Sequence, residues 1–302
     1  MDAKSLTRIR TDLALEAKNS ISEDDSAIKG VRVSEEKDCK NNINTIRMDV
    51  LNRSGAQVIG RPIGTYITME VPRLSEPDTG SHREISKALA KQLKGLITEV
   101  YHWNAKTPKI LVAGLGNRDA TSDALGPDVI SNLFITRHIV EYMGYEEVEG
   151  AFAVTSAIVP GVMAQTGMDC CEIISAVIKK TKPDILIVLD ALAARSVKRL
   201  NSTIQITDTG IHPGSGVGND RKAITRKTMG IPVIAIGVPT VVDASTLIYD
   251  SVKRNNVEEP MQISDEFAKM YVTSKDIDAI IKRISFTISE GINICMGLSE
   301  QK

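Results

Sequence analysis

The chain reads as an α/β protein, a mostly parallel sheet with helices on both faces, joined to a smaller N-terminal β-rich segment. Three observations predict this. Strand-like apolar runs at Lys109 to Ala113, Asp184 to Leu189 and Pro232 to Ile236 lack the polar alternation of a half-solvated sheet, as expected of strands covered on both faces. Stretches of helical spacing separate these runs, and strands alternating with helices give a parallel sheet. Upstream, Arg47 to Leu51 and Thr65 to Met69 alternate apolar and polar positions around Gly60, Pro62 and Gly64, the pattern of strands joined by turns.

The elements follow in order. Residues 1–43 are rich in Lys, Asp, Glu, Ser and Asn, with charge runs at Ser22-Glu23-Asp24-Asp25 and Glu35-Glu36-Lys37-Asp38. Such a segment buries little apolar surface and reads as a mostly flexible leader. Residues 44–302 read as a single α/β domain. Beyond Ile85, Leu89, Leu93, Ile97 and Val100 recur at helical spacing, predicting a helix that leads into the core. Pro127 to Tyr142 is expected to be helical, with its proline in the first turn, where a missing N–H costs nothing. Phe152 to Thr155 and Thr203 to Ile206 are short strand candidates, Asp169 to Lys180 is a predicted helix, and Asp276 to Met296 a closing one.

Composition narrows the function classes. With 302 residues and 42% hydrophobic content a sizeable core is available. A formal net charge of -1 supplies no global attraction to nucleic acid or to an anionic membrane. The four cysteines, Cys39, Cys170, Cys171 and Cys295, form no CxxC pair and read as reduced thiols of a cytoplasmic protein. No apolar stretch is long enough to span a bilayer, and the N-terminus lacks the apolar core of a signal peptide.

Two apolar runs deliver an aspartate near their carboxyl ends. Lys109 to Ala113 leads through a glycine-rich turn to Asp123, and the run ending at Leu189 stops directly at Asp190. Parallel sheets place their chemistry there. Two carboxylates from neighbouring strand ends push each other's pKa values apart and can divide acid and base work or hold a metal. Taken singly, each could equally be a cap or a loop hydrogen-bonder. The segment from Thr207 to Asn219 holds Gly210, Gly214, Gly216 and Gly218 around His212. It is either a flexible connection or a backbone able to approach a substrate closely. His212 could reach the carboxylates as a proton carrier or metal ligand, or simply face solvent.

Gly114-Leu115-Gly116 opens like a dinucleotide fingerprint, but Asp119 stands where a third glycine or an alanine is needed and would repel a pyrophosphate. No Walker-type motif occurs, and no cofactor is called for. In the leader, Arg10-Thr11-Asp12-Leu13-Ala14-Leu15-Glu16 reads either as a nascent helix capped by Thr11 or as a scissile site in an accessible region.

Taken together, several of these segments resemble one family. They are Thr11 to Ala14, Gly114 to Asn117, Thr121 to Pro127, Pro160 to Met163, Asp190 to Arg195, the His212 loop, and Gly237 to Ala244. In this order they are similar to the germination proteases of spore-forming bacteria, over about Arg10 to Asp250. The resemblance implies an endopeptidase that starts the degradation of small acid-soluble proteins coating spore DNA. It implies a zymogen that loses an N-terminal propeptide, a homotetramer of the spore core, and a fold similar to hydrogenase maturation proteases. The family's two essential aspartates match Asp123 and Asp190, and its processing sequence matches Asp12-Leu13-Ala14. Asn117, His212, Gly214 and Gly216 are then the expected supporting or substrate-binding residues. Two other classes stay open on the residues alone: a non-catalytic module that sequesters a protein partner, and a metal-dependent peptidase using the same carboxylates with His212.

Overall fold

The computed structural model describes residues 12–19, 28–77, 80–101, 107–144, 152–214, 221–248, 267 and 270–297. One sheet organises them. Its strands are β1 (Val31–Asp38), β2 (Ile43–Val50), β3 (Gly64–Glu70), β4 (Lys109–Gly114), β5 (Val154–Ile158), β6 (Ile185–Ala194), β7 (Thr203–Thr207), β8 (Val233–Asp243) and β9 (Tyr271–Val272). They lie in the order β1-β2-β3-β7-β8-β6-β4-β5, with β9 paired to β8. The core strands β5, β4, β6 and β8 run parallel. The N-terminal strands and β7 add an antiparallel arm to β8. The chain leaves β4 for β5 on one side and returns to β6 on the other. That reversal opens a crevice outside the carboxyl ends of β4 and β6.

Both faces are covered, and the period-two alternation of the strands says by what. Ile110 and Val112 of β4 and Ile185, Ile187 and Leu189 of β6 join one core with α3 (Ser81–Tyr101), α4 (Leu125–Asn132) and α7 (Ile277–Cys295), the labels counting α1 (Ala14–Asn19), α2 (Arg53–Ile59), α5 (Arg137–Met143) and α6 (Cys170–Thr181) in chain order. The residues between them, Leu111, Ala113, Leu186 and Val188, pack with Cys170, Cys171, Ile174 and Ile178 of α6. Helix α7 alone buries Ile277, Ile280, Ile281, Ile284, Ile288 and Ile292, each worth about 1.5–3 kcal/mol of transfer free energy.

Several elements differ from the sequence-based expectation, each for a physical reason. The helix expected over Pro127 to Tyr142 is two helices, because Thr136 turns the chain back onto β5. Its hydroxyl donates to Ala153 O at 2.7 Å and accepts from Thr155 N at 2.8 Å. Between β2 and β3 the chain forms α2, whose N-cap Asn52 accepts from Gly55 N and whose left-handed C-cap is Gly60. Strands β6 and β8 run on to Ala194 and Asp243, because ladder pairing continues past Asp190 and Pro239, where the unbroken apolarity ends.

The leader differs most. The boundary expected at residue 43 falls next to a tight hairpin, and Val31 to Asp38 pair residue by residue with β2. This strand carries the charge run that argued for flexibility. Seven of its eight residues are exposed, and an edge strand with one solvated border needs no apolar stripe. Glu36 reaches Lys91 of α3 at 2.7 Å, and Arg32 reaches Asp49 at 2.8 Å. No helix among the described residues is long and apolar enough to cross a membrane.

Candidate active site

The crevice at the reversal point is a cavity of about 480 Å³, lined by residues that include Asp12, Asp123, Asp190, Gln205, His212 and Arg221. Asp190 sits within β6 as a buried residue, 7% exposed, and its Oδ1 accepts from Ala191 N at 3.0 Å. Burial pushes its pKa well above the ordinary carboxylate value, and the neighbouring charges of Asp123 and Asp12 push it further.

Asp123 arrives from the other wall. After β4 the chain turns through Gly116 at φ +111°, where any side chain would collide with Asp123 O. That carbonyl accepts from Asn117 N at 3.1 Å. Thr240 of β8 donates to Ser122 O at 2.6 Å, tying the turn to the sheet. Asp123 ends a short 3-10 turn just before α4. The backbones of α4 and of the turn after β4 touch, since a Cβ at Gly114 would strike Gly126 O and one at Gly126 would strike Leu115 O. The paired glycines of the sequence motif thus set the approach of α4 instead of cradling a pyrophosphate. Burial raises the Asp123 pKa as well, with Arg221 pulling it partly back.

The remaining candidates divide. Asn117 shapes the turn, accepting from Asp119 N and from Gln165 Nε2, both at 3.0 Å. His212 and Gly214 line the cavity, and the His212 side chain is exposed. Gly216 lies outside the described residues. Cys170 also lines the cavity, but burial first, then Asp169, pushes its thiol up to about 11, so it is the inert protonated form near neutral pH. Among the described residues no three His, Cys, Asp or Glu side chains gather as a metal-ligand set.

The leader occupies this cleft. Asp12 N donates to Ala193 O at 3.1 Å, and Asp12 Oδ2 accepts from Ala193 N at 3.0 Å. Leu13, 0% exposed, packs against Leu192, Ala194 and Val242. Ala14 N donates to Gln205 Oε1 at 2.7 Å, and Gln205 Nε2 donates to Asp12 O at 3.3 Å. Farther on, the buried Glu16 carboxylate accepts from Arg195 N at 2.8 Å and Ser196 N at 3.0 Å and faces Arg199 at 3.7 Å. Residues 12–16 are therefore held along β6, with Asp12 lining the cavity that also holds Asp123 and Asp190.

Gln205 and the Leu13 recess were not predicted from sequence. One signal existed: Gln205 lies between Ile204 and Ile206 in a five-residue strand whose every residue is buried, and a polar side chain buried in a strand needs a partner.

Comparison with known proteins agrees over nearly the whole length. The family model for germination protease matches residues 9–256. A germination protease of Caldanaerobacter subterraneus subsp. tengcongensis is 41% identical, covering 97% of this chain and 96% of its own. One of Clostridium tetani is 42% identical over 95% of each chain, and one of Priestia megaterium is 46% identical over 81% of this chain and 66% of its own. Among solved structures, a [NiFe] hydrogenase maturation protease, HycI, from Thermococcus kodakarensis KOD1 aligns with a TM-score of 0.33 and 18% identity, covering 63% of this chain and 96% of that one. The chain belongs to the germination protease family and is a peptidase of that family.

Proposed function

We propose that this chain is the zymogen of a spore-germination endopeptidase, with residues 12–16 seated as a substrate would be and the Asp12–Leu13 bond as its own processing site. The observation that carries this reading is the placement of Asp12 in one cavity with Asp123 and Asp190 while Leu13 is fully buried beside it. A leader merely packed on the surface has no reason to thread the crevice of a reversal point.

The two carboxyls divide the work. Asp190, the more deeply buried and flanked by like charges, keeps a proton and serves as the acid. Asp123, half-buried and near Arg221, serves as the base. The base takes a proton from water as the water oxygen attacks the scissile carbonyl carbon. The acid then delivers its proton to the departing nitrogen as the carbon–nitrogen bond breaks. The supporting logic is that two nearby carboxyls cannot both ionise freely. After processing, once the released piece and the new N-terminus at Leu13 have left the cleft, it accepts the same acid–apolar–small pattern in small acid-soluble spore proteins. The same reading takes the processed or unprocessed chain to assemble as a homotetramer of the spore core.

The test is mass analysis of fragments. Wild-type chain under activating conditions is expected to yield a new N-terminus at Leu13 and to cut an added small acid-soluble protein. Asp123→Asn and Asp190→Asn are each expected to fold and to lose cleavage by at least about 10³-fold, by loss of proton transfer and of charge stabilisation. Full activity in either variant would end the two-aspartate reading. Light scattering that finds a single chain at working concentration would end the tetramer.

A further inference from the structure

We propose that Gln205 is a catalytic residue: its side-chain amide brackets the scissile bond and donates to the scissile carbonyl oxygen as that oxygen becomes an oxyanion. This rests on the reading of residues 12–16 as a substrate-like occupant.

The geometry comes first. In the ladder, Asp190 of β6 lies opposite Gly237 of β8, and Gly237 lies opposite Gln205 of β7. One row thus carries an acid, a residue with no side chain, and an amide. Adjacent partners in register share a face, and two strand spacings put Asp190 and Gln205 roughly 10 Å apart along the row. Over the bare Gly237 lies Leu192, which any Cβ at position 237 would strike and which forms part of the Leu13 recess. A peptide lying across the row has a carboxyl on one flank and an amide on the other.

The hydrogen bonds agree. Gln205 Oε1 accepts from Ala14 N at 2.7 Å, while its Nε2 donates to Asp12 O at 3.3 Å. One rigid amide therefore holds the residue before the scissile bond and the second residue after it, with Leu13 between. The bond to the carbonyl is the longer of the two. A donor that is loose on a ground-state carbonyl gains most when the oxygen takes up charge, which is the differential interaction that lowers a barrier.

The step balances without a cofactor. Water attacks the Asp12 carbonyl carbon and gives a proton to a carboxylate, and the carbonyl electron pair moves to oxygen. Gln205 Nε2–H hydrogen-bonds that oxygen and transfers nothing. The oxyanion then collapses, the bond to the Leu13 nitrogen breaks, and the nitrogen takes a proton from the other carboxyl. Burial also fits: Gln205 is 8% exposed, so its donor works away from water, where such bonds count for more.

The test compares Gln205→Met, which removes donor and acceptor at similar length, with Gln205→Glu, which keeps an acceptor for Ala14 N and removes the donor. Three quantities are measured in the full chain: the first-order rate constant for cleavage at Asp12–Leu13, amide hydrogen exchange of residues 12–19, and the thermal midpoint. The same variants, begun at Leu13, are assayed for kcat and KM on a peptide of the sequence of residues 8–18. Both are expected to lose about 10²–10³ in rate constant and in kcat, with KM moved far less and with exchange protection of the leader retained. Equal rates in wild type and Gln205→Glu overturn the proposal. So does a loss of rate matched by a loss of leader protection or confined to KM, since either marks an anchor without a catalytic role. A wild-type chain that cuts neither leader nor peptide brings down the zymogen reading itself, an outcome distinct from cutting that survives loss of the amide.

Discussion

Asp190 occupies a place where ionisation is costly: it is enclosed by β6 and flanked by two further carboxylates. Its folded-state pKa lies well above that of the unfolded chain, with burial the largest cause and Asp123 and Asp12 following. The native state therefore binds more protons than the unfolded state between the two values, and stability falls as pH rises through that window. Asp190→Asn removes the penalty. The variant is expected to melt higher than wild type, with a gap that widens as pH rises above the ordinary carboxylate value and levels off once Asp190 is ionised in the folded chain, and calorimetry over a pH series checks it; a gap that shrinks as pH rises contradicts the assignment. The shared cavity of Asp123 and Asp190 was foreshadowed in the sequence because Asp190 ends an apolar run directly and Asp123 follows another through a glycine-rich turn, and strand ends can be read locally. Gln205 was not, because its role depends on register with Gly237 and on a leader almost two hundred residues away.

Helices and strands were legible wherever local pattern decides them, as with the buried isoleucines of α7 at helical spacing. They were misread where a side chain from elsewhere intervenes, as at the Thr136 break, or where strand pairing outlasts apolarity, as in β6. The contact of α4 with the turn after β4 depends on two glycines. Gly126→Ala sets a methyl against Leu115 O, and is expected to cost about 1–3 kcal/mol of stability and to displace Asp123 enough to cut activity at least tenfold. Denaturant titration and the cleavage assay together check this, and unchanged values in both contradict it. The leader has its own anchor. Glu16→Gln weakens a carboxylate held by two N–H groups and faced by Arg199; charge-assisted bonds are worth about 1.5–3 kcal/mol. Faster amide exchange in residues 12–19 and slower self-processing are expected, and unchanged values of both contradict the anchor.

At the scale of the whole molecule, the sheet was legible as α/β with a parallel centre, whereas the reach of its antiparallel arm was not, since β1 carries the composition of a linker. Its function in the fold is to cover the border of β2, five of whose eight residues are buried. A chain beginning at Ile43 leaves that border unpaired and is expected to aggregate on heating. A chain beginning at Leu13 retains β1 and is expected to stay dispersed. Turbidity during a thermal ramp separates the two, and equal behaviour removes β1 from the folded unit.

On the proposed zymogen reading, the tethered segment in the cleft also fixes how maturation scales. Because it is supplied by the same polypeptide, its local concentration is set by connectivity and does not change when the sample is diluted. Conversion should follow a single half-time from micromolar to nanomolar solutions. An outside target must compete for an occupied groove, so attack on other proteins should lag behind this first cut and begin only once the severed piece has drifted away and the new N-terminus has also swung out.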